Sequence, residues 1–179
     1  MPPRTLPDLL RPGLDVVFVG INPGEVSARR GHYYAHPGNG FWKALSASLL
    51  VPCDLGPDDD RALPLGHGIG FTDVVKRVVT DSSQVSDAEL RAAVPAFRRR
   101  VAYARPRAVC FTTTRGFQAC FPGVRTASEW GRQPATLEGA EVWVMPSTSG
   151  RAAAHRVHVH RVLAELAERL TAQRENIQT

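Results

Sequence analysis

Three short apolar runs, each broken off by a loop of small or polar residues, constrain the fold of this chain more than any other feature. Leu14-Asp15-Val16-Val17-Phe18-Val19-Gly20 is rich in β-branched residues and ends on a glycine. Ala108-Val109-Cys110-Phe111-Thr112 and Val142-Trp143-Val144-Met145-Pro146 repeat that grammar. Runs this short and continuous lack the alternation of a strand with one wet face, so they predict strands buried on both faces of a sheet. Helical patterns lie between and after them: Phe41 to Leu50, Asp87 to Tyr103 with Ser86 and Glu89 spaced as a capping box, about Arg115 to Phe121, and Arg151 to Gln173. In the last of these Val159, Leu163, Leu166 and Leu170 form an apolar stripe. Strands alternating with helices predict an α/β sandwich around a mostly parallel sheet. Ligands of such sheets bind beyond the carboxyl ends of the strands, which directs attention to the residues just after Val19, Thr72 and Val144.

The length of 179 residues, with 43% hydrophobic and 22% charged residues, predicts one folded domain over residues 1–179. Asp58, Asp59 and Asp60 come after Gly56-Pro57 and read as a solvated acidic loop. No apolar run approaches the roughly 20 residues of a membrane-spanning helix. The opening segment MPPRTLPDLLRPG lacks the apolar core of a secretory signal, so the expected location is cytoplasmic, with activity at the nucleoid of a bacterial-type cell and no membrane partner. Cys53, Cys110 and Cys120 have neither CxxC spacing nor histidines at ligand spacing, which predicts no disulfide framework, no zinc and no other metal. A net charge of +5 permits binding to nucleic acid through phosphates.

Four segments hold the candidate chemistry. In Gly20-Ile21-Asn22-Pro23-Gly24 the glycines admit close backbone approach and the Asn22 amide either orients a water molecule or closes an Asx-turn on its own backbone. Gly-Lys-Ser/Thr and GxGxxG are absent, which argues against a phosphate loop. Gly31-His32-Tyr33-Tyr34-Ala35-His36-Pro37-Gly38-Asn39-Gly40-Phe41-Trp42-Lys43 is polar, glycine-rich and aromatic, as a pocket wall would be. Tyr34 is suited to stack on a planar ring, Phe41 and Trp42 are expected in the core, and Pro37 argues against a helical metal pair of His32 and His36. Asp73, among apolar neighbours in Gly68 to Arg77, has three readings: it caps the next turn, pairs with Lys76 or Arg77, or acts as a general base. Met145-Pro146-Ser147-Thr148-Ser149-Gly150-Arg151 either offers hydroxyls and amides to a phosphate or is plain N-capping by Ser149. His155, His158 and His160, with Arg156 and Arg161, read as a solvated basic face.

These four blocks, in this order and spacing, resemble the mismatch-specific uracil-DNA glycosylase and thymine-DNA glycosylase family, a branch of the uracil-DNA glycosylase superfamily, over nearly the whole chain. The resemblance implies a three-layer α/β/α sandwich with a short, mostly parallel sheet. It implies a monofunctional, cofactor-free, monomeric enzyme that flips uracil out of DNA and hydrolyses its glycosidic bond, leaving an abasic site. Uracil opposite guanine in duplex DNA is the expected substrate, with other damaged or mismatched pyrimidines and single-stranded DNA open. Carried over, Asn22 positions the attacking water and Tyr34 stacks on the flipped base. The amides of Ile21, Gly24 and Tyr34 face the base carbonyls, and Ser27 is the small residue beside the pocket. Arg151 fills the gap in the duplex, and Ser147, Ser149 and Gly150 belong to the loop that pinches the strand.

Asp73 departs from the Asn or Lys of that family, so its role is not copied across. Near the scissile bond a carboxylate can polarise the water or stabilise an oxocarbenium-like sugar, which makes Asp73 a second catalytic candidate. The rival readings are a non-catalytic DNA-binding module of the same fold and an unrelated hydrolase or nucleotide enzyme; the latter would need a GxSxG elbow or a P-loop, and neither is present.

Overall fold

The computed structural model describes residues 5–124 and 130–178. Its centre is a five-stranded sheet of β1 (Val16–Gly20), β2 (Ile69–Asp73), β3 (Ala108–Phe111), β4 (Gly131–Leu137) and β5 (Ala140–Val144), in the spatial order β2-β1-β3-β5-β4. β1 runs parallel to β2 and β3, and β3 parallel to β5, while β4 pairs antiparallel with β5. Around it lie α1 (Glu25–Arg30), α2 (Phe41–Ala47), α3 (Leu63–Gly66), α4 (Asp87–Ala104), α5 (Thr114–Cys120) and α6 (Arg156–Gln178). The expected three-layer α/β arrangement is therefore observed. None of the helices in the described residues is long and apolar enough to cross a membrane.

The three apolar runs are the three inner strands, and side-chain alternation along β1 explains the two layers. Val16 and Phe18 join the core under α2 and α6, with Phe41, Leu45 and Leu163. Val17 and Val19 join the opposite core under α4 and α5, with Val94, Phe97 and Phe117. Each fully buried Val or Phe of this kind contributes roughly 1.5–3 kcal/mol, so an inner strand has no position to spare for a polar residue.

The two strands beyond those predicted are the edges. β4 alternates buried and exposed residues, Gln133 among the buried ones, as an edge strand with one wet face does. β2 is disguised by Gly70 and by its ending, Thr72-Asp73. Gly70 is required by a close approach: Leu9 in the N-terminal segment exchanges two backbone hydrogen bonds with Phe71, and a Cβ at position 70 would lie 2.8 Å from the Leu9 carbonyl oxygen.

Local chemistry moved other boundaries. α2 stops at Ala47, three residues early, because Ser48 turns back and gives both its amide and its hydroxyl to the Leu45 carbonyl. α6 begins at Arg156, and the predicted first turns from Arg151 fall in a 3-10 helix, Gly150–His155, that leaves Arg151 outside the regular helix. Ser86 caps α4 by accepting from the Glu89 amide at 3.1 Å, but the Glu89 carboxylate turns to Arg77 rather than closing the box. The acidic loop is only partly solvated: Asp58 and Asp59 are exposed, whereas Asp60 is buried, accepting from the Tyr33 amide at 2.9 Å and facing His32 Nδ1 at 2.9 Å.

Candidate active site

Because β1, β2, β3 and β5 are parallel, their carboxyl ends emerge on one edge, and the loops beyond them enclose a cavity of about 650 Å³. Ile21, Asn22, Gly24 and Ser27 border it from the β1 side, Asp73 from β2, Tyr34 from the segment before α2, and Ser147, Ser149, Gly150 and Arg151 from the loop after β5. All ten residues singled out in the sequence thus meet at one site.

The loop after β1 is tied to the chain leaving β2. Val74 donates to the Gly20 carbonyl at 3.0 Å, Val75 to Ile21 at 2.8 Å and Val79 to Pro23 at 3.2 Å. Asn22 Nδ2 donates to the carbonyls of Pro23 at 2.9 Å and Val79 at 3.3 Å. This is not an Asx-turn, in which the side-chain oxygen would accept. The amide nitrogen is spent on the scaffold, and Oδ1 is the atom left to accept a hydrogen bond from a bound molecule. The amides of Ile21, Gly24 and Tyr34 have no backbone partner among the described residues.

The Tyr34 segment is fastened at several points. Ala35 donates to Ser27 Oγ at 3.0 Å, Arg30 to the Ala35 carbonyl at 3.0 Å, and Trp42 Nε1 to the Tyr33 carbonyl at 2.9 Å, beside the two Asp60 contacts. Ser27 is therefore a strut of the loop as well as a wall of the cavity. Between these anchors Tyr34 adopts φ 52°, a left-handed conformation that a bulky residue holds only when its surroundings impose it. One face of its ring stacks on Phe41, with centroids 4.1 Å apart. Its hydroxyl is buried without a hydrogen bond of good geometry; burial, reinforced by Asp73, pushes it well above the usual phenol range.

Asp73 neither caps a turn nor forms an ion pair with Lys76 or Arg77. Lys76 pairs with Asp8 and Arg77 with Glu89. The Asp73 carboxyl is buried, Oδ2 has no hydrogen-bond partner among the described residues, and a Cβ on Gly20 would collide with Oδ1. Gly20 thus makes the space in which the carboxyl sits. Burial raises its pKa to about 7; Lys76 opposes the rise, Asp8 adds to it and Arg100 opposes it. A carboxyl left unpaired next to a cavity and titrating near neutrality is suited to exchange protons.

In the last loop Ser147 Oγ accepts from the Ser149 amide at 3.2 Å, and Ser149 makes no side-chain cap, so plain N-capping by Ser149 is not observed. Arg151 is 85% exposed in its side chain and ion-paired with Asp81, across the cavity mouth. Asp81 and its neighbours Thr80 and Ser82 were not legible as site residues, nor were Thr112 and Thr113 after β3. Thr112 continues a run read only as a strand, and position after a parallel strand is the signal that would have found both threonines. His155 and His158 lie exposed against the Trp130 ring at 5.0 and 4.8 Å. Among the described residues no group of three or more His, Cys, Asp or Glu is placed to hold a metal ion.

Comparison with known proteins gives this geometry its relatives. A family model described as the uracil DNA glycosylase superfamily matches residues 7–171. The fold is similar to the solution NMR structure of a candidate uracil DNA glycosylase from Methanosarcina acetivorans, with a TM-score of 0.62 at 21% identity, covering 93% of this chain and 99% of that one.

Proposed function

The chain belongs to the uracil DNA glycosylase superfamily, and from that premise we propose that it is a monofunctional DNA repair glycosylase of the mismatch-specific branch. It hydrolyses the N-glycosidic bond of uracil, first of all uracil opposite guanine, and leaves an abasic site. The observation that carries this reading is the convergence of Asn22, Tyr34 and Asp73 on one cavity at the carboxyl ends of the strands.

A base inside a duplex is out of reach, so it must be extruded, at a cost of roughly a few kcal/mol that is smaller for a mismatch. Loss of uracil builds negative charge on the base and positive charge on the sugar. The amides of Ile21, Gly24 and Tyr34 meet the first with fixed dipoles that need no reorganisation. Tyr34 stacks on the base with its pocket-facing ring. Asn22 Oδ1, its amide locked by two carbonyls, accepts from the attacking water and aims it. Asp73, ionised above about pH 7, draws a proton from that water or stabilises the oxocarbenium-like sugar. Ser147, Ser149 and Gly150 bind the phosphates flanking the flipped nucleotide, and Arg151 leaves Asp81 to fill the vacated place in the stack.

The test incubates the protein with labelled duplexes carrying uracil opposite guanine, uracil opposite adenine, or thymine opposite guanine, and with single-stranded uracil DNA, and then treats each with alkali. Strand scission at uracil, strongest opposite guanine and lost in Asn22→Ala, is the expected result. Binding without alkali-labile sites would replace this reading with a DNA-binding module of the same fold.

A further inference from the structure

Behind the cavity wall lies an ionic cluster that touches none of the reacting atoms. Asp8, in the segment that pairs with β2 through Leu9, accepts on Oδ1 from Thr72 Oγ1 at 2.6 Å and from Lys76 Nζ at 2.9 Å, while Oδ2 faces Arg100 Nε at 3.3 Å. Arg100 reaches back from α4 to donate to the Asp73 carbonyl at 2.6 Å. Lys76 also donates to Tyr33 Oη at 3.4 Å. One acid therefore lies between two cations, and both cations flank the residue that carries the unpartnered carboxyl.

We propose that Asp8 is a positioning residue for Asp73: by compensating Lys76 and Arg100 it prevents their charge from fixing the Asp73 carboxyl as a permanent anion, and so leaves that group able to take and release a proton during turnover. This rests on the glycosylase reading and adds to it the residue that sets the protonation of its acid.

The charges around Asp73 can be counted element by element. Lys76 comes after β2, Arg100 from α4, and Asp8 from the N-terminal segment. Tyr33 and Tyr34 come from the segment before α2; burial pushes both hydroxyls far up, so they stay neutral. The chain leaving β3 contributes the uncharged Thr112, β1 contributes only Gly20, and Cys110 of β3, next to Tyr34, is kept protonated by burial. With Asp8 ionised, the three charged neighbours sum to +1; without it they sum to +2. Asparagine at position 8 keeps an acceptor for Thr72 Oγ1 and Lys76 Nζ but removes the charge. At an effective dielectric near 20 a unit charge several ångströms away is worth on the order of one pH unit or more.

The 179-residue chain is compared with Asp8→Asn and Lys76→Met by two readouts: the pH profile of single-turnover uracil excision, and the ionisation of Asp73 monitored by carboxyl carbon NMR, its signal assigned with Asp73→Asn. Asp8→Asn is expected to move both the acid limb and the titration down by about one pH unit, giving about fivefold more of its plateau rate at pH 6 than the parent retains. Lys76→Met is expected to move both up by a similar amount. A merely structural role would lower the rate at every pH and leave the limb in place. An active parent whose Asp73 titration is unmoved by either variant, or moves the same way in both, overturns the role of Asp8 alone. Opposed titration shifts in a protein that excises no uracil uphold the charge compensation and overturn the glycosylase reading alone. Should Asp8→Asn not fold, Asp8→Ser takes its place: it also removes the charge and keeps an oxygen acceptor for Thr72 Oγ1 and Lys76 Nζ, and a titration that it leaves unmoved or moves up overturns the role of Asp8.

Discussion

At position 73 the chain keeps a buried acid that no partner neutralises, and this has an energetic consequence. The folded-state pKa, about 7, lies above the value of 3.8 for the free group. The folded protein therefore holds a proton the unfolded chain has lost, and stability falls as pH rises from about 4 to about 7, after which the penalty is constant. Asp73→Asn should remove it: the variant melts a few degrees higher than the parent at pH 8, and the gain disappears near pH 4 in thermal scans. The same substitution should slow single-turnover excision by about 10²–10⁴-fold, with the limb near pH 7 abolished. Asn22→Ala should cost about 10²-fold through loss of water alignment, and should lower the melting temperature by a few degrees because the Pro23 and Val79 carbonyls lose their donor. Gly20→Ala pushes a Cβ into the Asp73 carboxyl and should lose both activity and stability. Residue identities were readable at this scale; that Asp73 is unpartnered was not, because that depends on Lys76 and Arg77 choosing Asp8 and Glu89.

Among the elements, the segment from Gly31 to Asn39 has no regular structure of its own, and its shape is imposed from outside. Asp60 is the chief anchor, since it holds the Tyr33 amide next to the strained Tyr34. Asp60→Ala strands that amide and should cost about 1–3 kcal/mol, visible as a lower denaturation midpoint, with excision reduced more than affinity for uracil-containing DNA as Tyr34 loses its place. In the sequence Asp60 is indistinguishable from Asp58 and Asp59; only the docking of the 3-10 turn that carries all three turns one inward. β2 was hidden for a related reason. Its Gly70 is demanded by a neighbour 61 residues away in the chain, Leu9, and no local pattern reports such a contact.

Across the molecule, the excess of basic charge, +5, favours a polyanion, and affinity for duplex DNA should fall steeply with salt. Arg151, exposed at the cavity mouth, belongs to this scale because its role lies in the complex rather than in the free fold. Arg151→Ala should reduce excision of uracil opposite adenine by about tenfold and opposite guanine by less, since a mismatch opens with less help; the ratio of the two single-turnover rates reads this directly. By itself the sequence determined the layered α/β class, the three inner strands and the blocks from which the site is made, because burial on both faces and glycine-rich loop chemistry leave local signatures. The tertiary structure alone decided which ionisable groups pair, which acid is buried and which atom of Asn22 is left to act. Those choices depend on distances between residues far apart in the chain, and hydrogen bonds and charges, unlike hydrophobic periodicity, leave no period to read.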